Sequence, residues 1–105
     1  MTDRIYTTEE IRELVAPVAG KYGVGKLALF GSYARGDANP NSDIDLRVVD
    51  KGKIIGYFEL AGLQLDLEES LGIRVDVLTT GALSSEFLAR ISKEEIIVYE
   101  QPQEH

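Results

Sequence analysis

Residues 26–49 read KLALFGSYARGDANPNSDIDLRVV, and the two ends of this stretch decide the fold. Lys26 to Phe30 is a short, nearly continuous apolar run that stops at Gly31, the pattern of a buried central strand. After a loop rich in Gly, Asn, Pro and Ser, residues 43–49 alternate. Ile44, Leu46 and Val48 fall on one face and Asp43, Asp45 and Arg47 on the other, as in a strand with one side in the core.

Upstream, Thr7 and Glu10 have the spacing of a capping box, and Ile11, Leu14, Val15 and Val18 follow at helical intervals. This predicts an amphipathic helix that Pro17 kinks, or whose last turn it splits off, before residues 20–25 end it. Downstream, Asp50 to Lys53 predicts a polar turn. Leu60, Leu63, Leu67 and Leu71 then mark a helix closed by Gly72 as a left-handed cap. Ile73, Val75 and Val77 alternate with Arg74, Asp76 and Leu78 as a second half-buried strand, ended by residues 79–81. Leu83, Phe87 and Ile91 predict a last amphipathic helix, and residues 96–99 a short closing strand. The order implies an α/β (α+β) architecture, a small mixed sheet backed by helices in a single domain over residues 1–100, followed by a polar tail at 101–105.

Composition narrows the function classes. The chain has 105 residues, 44% of them apolar and 28% charged, which suits one self-sufficient core with no room for a separate substrate domain. With no cysteine, disulfides, thiolate nucleophiles and sulfur-rich zinc sites are excluded, and with His105 in the tail as the sole histidine, so are a serine–histidine triad and a histidine metal cluster. A net charge of −7 opposes direct nucleic-acid binding but is compatible with a basic protein partner or a nucleotide carried in with its metal. No apolar run has the length of a membrane span, and Met1 to Tyr6 is not a basic stretch leading into an apolar segment, so a cytoplasmic protein is expected.

The candidate chemistry lies on the polar face of the 43–49 strand. Asp43 and Asp45, two residues apart, stand roughly 7 Å from one another on the same side. Like charges so placed resist joint ionisation unless a cation neutralises them, and Mg²⁺ favours a few carboxylates plus phosphate oxygens. If the strand of residues 73–78 lies beside them, Asp76 joins, and three carboxylates suffice for two metal ions clamping an in-line phosphoryl displacement. Gly31 would admit a phosphate close to the backbone and the Ser32 hydroxyl would donate to it, helped if residues 33–35 open a helical turn. Arg35 is a forked donor for the outer phosphates, and Ser42 could order Asp43.

The run Gly31-Ser32-Tyr33-Ala34-Arg35-Gly36, then Ser42-Asp43-Ile44-Asp45-Leu46, then Val75-Asp76-Val77, resembles the polymerase-beta-like nucleotidyltransferase superfamily. Within it the chain is similar to the minimal nucleotidyltransferases (MNT), and the resemblance extends to the ending Ile96-Ile97-Val98-Tyr99-Glu100. It implies the nucleotidyltransferase fold, nucleotide-phosphate binding at Gly31 and Ser32, and magnesium on Asp43, Asp45 and Asp76. It also implies ATP as substrate and a setting as the antitoxin of a toxin–antitoxin pair, with AMP placed on a tyrosine of a HEPN toxin. Arg47 departs from the pattern, standing where an apolar or small residue is more usual, and is expected to pair with the aspartates or reach a phosphate.

Other functions fit the same residues: a module that neutralises its partner by covering it, or a transferase acting on a small hydroxyl compound such as an aminoglycoside. The acidic pairs Glu68-Glu69 and Glu94-Glu95 read as solvated surface, and Tyr22, Tyr33, Tyr57 and Tyr99 as packing residues.

Overall fold

The computed structural model describes residues 5–49 and 56–102. The expected turn at 50–53 and the end of the tail, His105 included, lie outside them. The chain runs α1 (Thr8–Lys21), β1 (Lys26–Phe30), α2 (Ser32–Arg35), β2 (Ile44–Val49), α3 (Tyr57–Leu71), β3 (Val75–Thr79), a 3-10 turn (Thr80–Ala82), α4 (Ser85–Ile91) and β4 (Ile96–Glu100). Among the described residues the strands form one mixed sheet in the order β3-β2-β1-β4. β1 is antiparallel to both β2 and β4, whereas β2 and β3 are parallel, a pairing that needs a crossover and obtains it through α3.

The alternation in β2 settles which side is core. Ile44, Leu46 and Val48 are buried, as are Val75 and Val77 of β3 and Leu27 and Leu29 of β1. Against this face pack Ile11, Val15 and Ala19 of α1 and Leu63, Leu67 and Leu71 of α3. The opposite face holds Asp45 and Arg47 of β2. At one end of it Phe30 meets Phe87 of α4 edge to face, ring centres 5.9 Å apart.

The ends of the helices follow their sequence signals. Thr7 and Glu10 form the reciprocal capping box, the Glu10 amide donating to the Thr7 hydroxyl at 3.1 Å and the Thr7 amide to Glu10 at 2.9 Å. Gly72 closes α3 at φ +71°, its amide donating to the Glu68 carbonyl. The Tyr6 hydroxyl donates to the Leu71 carbonyl, tying the segment before α1 to the end of α3. Pro17 does not split off the last turn of α1, which runs unbroken to Lys21. Pro17 and Glu13 both face solvent, so the Glu13 carbonyl deprived of its helical donor is open to water.

Leu67 is fully buried between the sheet and α1. Leu67→Ala should cost about 2–5 kcal/mol in urea unfolding, with the m-value unchanged.

Candidate active site

Parallel pairing of β2 with β3 sets Asp45 directly opposite Asp76, just as Ile44 opposes Val75 and Leu46 opposes Val77. Because the flanking residues of both strands point into the core, the two carboxylates emerge together on the other face. Asp43 immediately precedes β2, where the Ile44 amide donates to the Arg74 carbonyl at 3.0 Å, and it lies on the Asp45 side by the two-residue repeat. The structure thus brings the three aspartates to one side of the sheet. Asp76 is exposed, and Asp43 and Asp45 are half-buried.

Asp45 carries the electrostatic cost of this crowding. Burial, then the charges of Asp76 and Asp43 and a hydrogen bond with Asp76, push its carboxyl up to about 6, against a weaker opposing pull from Arg35. As the side chains stand, no three acidic or imidazole groups among the described residues are gathered tightly enough to hold a metal ion. The donor set nevertheless suits a hard divalent cation. All the donors are carboxylate oxygens, and a cation between Asp45 and Asp76 would offset the like charges that crowd Asp45.

Gly31 comes up against Asp45 from β1. It sits at φ +77°, a region costly for any residue with a side chain, and a Cβ built there would lie 2.3 Å from Asp45 Oδ2. Glycine is therefore required twice over, by the turn and by the carboxylate beside it. Ser32 and Arg35 follow on α2, whose end is capped by Gly36 at φ +84°. Phe30, Gly31, Ser32, Arg35 and Asp45 line a pocket of about 410 Å³, closed on the far side by Phe87, Arg90, Ile91 and Glu94 of α4 and the turn after it. That volume is in the range of small-molecule sites. Ser42 is tied into the loop before β2. Its hydroxyl accepts from the Asn39 amide at 2.9 Å, and its own amide donates to the Asn39 carbonyl at 2.9 Å, so it closes the loop before β2.

Two residues read from sequence as solvated surface belong to this site. Glu94 accepts the Gly31 amide at 2.8 Å and an Arg35 guanidinium N–H at 3.1 Å through the same oxygen. Glu95 takes Arg47 in a fork, Nε to Oε2 at 2.5 Å and Nη2 to Oε1 at 2.7 Å. Arg47 also donates to the Thr80 hydroxyl at 2.9 Å, which in turn donates to the Val48 carbonyl at 2.7 Å. Arg47 is thus committed to Glu95 and Thr80 and not to the aspartates or a phosphate. The signal lay in Arg47 itself: a cation on the inner reach of a carboxylate-bearing face demands a partner, and adjacent acids just before the closing strand were available.

With this geometry in place, the class of protein follows from comparison with known chains. Residues 11–99 match the model of the nucleotidyltransferase domain, and the chain belongs to that family. It is a nucleotidyltransferase. A relative from Methanocaldococcus jannaschii, named "putative protein adenylyltransferase", is 38% identical over 89 residues, 85% of this chain and 95% of its own length. The protein adenylyltransferase MntA of Thermococcus cleftensis is 32% identical over 96 residues, covering 88% and 96%. A chain in the solved complex of the tri-AMPylated Shewanella oneidensis HEPN toxin with its MNT antitoxin superposes with a TM-score of 0.68. It is 15% identical, with 90% of this chain and 74% of that one covered, a likeness of fold.

Two outcomes test the site. A raised folded-state pKa means that ionising Asp45 costs stability as pH rises from about 4, its unfolded value, through about 6. Asp45→Asn should therefore be more stable than the parent by about 1–2 kcal/mol at pH 7.5, after discounting for solvent at this half-buried position, and the gain should vanish near pH 4 in paired thermal melts. Gly31→Ala, which displaces the Asp45 carboxylate, should lower nucleotidyl transfer by at least about 100-fold.

Proposed function

We propose that this chain transfers AMP from ATP to a hydroxyl on a partner protein, a tyrosine of a HEPN toxin, and so serves as the antitoxin of a toxin–antitoxin pair. The observation that carries the reading is the in-register pair Asp45 and Asp76, with Asp43 two residues away, opening beside the Gly31–Ser32 turn. The names of the relatives, protein adenylyltransferases, support the choice of adenylate and of a protein acceptor, and the Shewanella complex supports the kind of partner.

In this reading Asp43, Asp45 and Asp76 would hold two Mg²⁺ ions, whose charge would offset that developing on the phosphates. The Gly31 amide, the Ser32 hydroxyl and Arg35 bind the outer phosphates and orient pyrophosphate as the leaving group. The acceptor oxygen forms its bond to the α-phosphorus as the bond to pyrophosphate breaks, and the hydroxyl proton passes to the carboxylate cluster. Asp76 is the exposed member of the three.

One observation favours a second reading, neutralisation by covering. The outer side of α3 shows Tyr57 and Phe58 at 91% and 92% exposure and Leu65 at 65%, on a helix with four acidic residues and no basic one. Such a surface suits a partner with an apolar ridge flanked by Lys and Arg.

The two separate cleanly. Incubated with ATP, Mg²⁺ and the partner, the parent chain should make the partner heavier by whole adenylates in intact-mass spectrometry. Asp43→Asn with Asp45→Asn should abolish that shift and the protection of the cell. A double variant that still suppresses the toxin at equal concentration would establish covering in place of transfer.

A further inference from the structure

The Gly31 amide and the Arg35 guanidinium are two positively polarised donors converging on one point, and that point is already taken by Glu94 Oε2, at 2.8 Å and 3.1 Å. We propose that the Glu94 carboxylate is a built-in stand-in for a nucleotide phosphate: it occupies the phosphate subsite of the free protein and must swing out when the triphosphate enters, so that Glu94 sets nucleotide affinity. The inference rests on the nucleotide-binding reading of the preceding subsection.

Three features support it. The chemistry is that of an anion site, since a carboxylate oxygen and a phosphate oxygen make the same charge-assisted contacts with an amide and a guanidinium. The two anions cannot share it, because like charges at hydrogen-bonding separation repel strongly in a site partly screened from water. The architecture also lets Glu94 leave without loss of fold. The turn after α4 is fixed by its neighbour, Glu95, through the forked pair with Arg47, and by the amides of Glu94 and Glu95 donating to the Ile91 carbonyl at 2.9 and 3.0 Å. Glu94 itself keeps a side chain 23% exposed, against 9% for Glu95, so rotation about its side-chain bonds suffices to clear the subsite. Arg35 remains oriented meanwhile by Asp37 at 3.3 Å.

A binding site open only a fraction of the time loses apparent affinity by that fraction. Glu94→Gln, which keeps the shape and removes the charge, should therefore tighten binding of ATP and of inorganic tripolyphosphate, both with Mg²⁺, by about 5-fold or more in calorimetric titration. In transfer assays KM for ATP should fall with kcat little changed. If Glu94 instead orders the Gly31 turn for catalysis, Glu94→Gln binds both probes equally or more weakly and kcat drops, which overturns the proposal. Glu94→Ala serves as the second variant, and thermal melts of both confirm that the fold is intact. Should neither parent nor variants bind either probe, the nucleotide reading of the site fails with it, an outcome distinct from binding that is present but unimproved.

Discussion

The structure is organised around a repulsion. Parallel strands in register place Asp45 against Asp76, and antiparallel pairing with β1 places Phe30 beside Asp45 on its other flank. No packing argument would put two carboxylates there. The hydrophobic alternation of β2 and β3, with Ile44, Leu46, Val75 and Val77 buried, is what forces them onto the same side and holds them. The core under the sheet, made by α1 and α3, thus supplies the stability that the acidic face spends. Asp45, with its carboxyl raised to about 6, is where that expenditure is visible.

Around the carboxylates the chain arranges positive groups with different degrees of commitment. Arg47 is locked, forked onto Glu95 with only 15% of its side chain exposed. Arg35 is half exposed and divided between Asp37 and Glu94. The first fixes the turn between α4 and β4 to the middle of the sheet, and the second remains available to a ligand. One cation therefore serves architecture, and the other lines the pocket beside Asp45.

Most of the fold was legible in the sequence because its elements obey local rules. The capping box at Thr7, the left-handed Gly72 and the two-residue repeat of β2 and β3 are each decided within a few residues. The gathering of Asp43, Asp45 and Asp76 on one side followed from the same repeat once the strands were taken as neighbours. What escaped depended on distant pairing. Glu94 and Glu95 resemble any surface acids until β4 is laid antiparallel to β1, which carries the preceding turn over Gly31 and Arg47, more than 45 residues earlier in the chain. The Ser42 contact with Asn39 was equally unseen, although it spans only three residues within the loop. The last turn of α1 was not split off at Pro17, because the cost of a lost helical hydrogen bond depends on whether its orphaned carbonyl is wet, and sequence does not show that.

The forked contact between Arg47 and Glu95 constrains how such a chain can drift over generations. Losing either partner alone strands an ion with little water around it, a penalty on the order of 3–5 kcal/mol, whereas replacing both with apolar groups of matching volume is close to neutral. A change at either position is therefore costly unless the other changes with it.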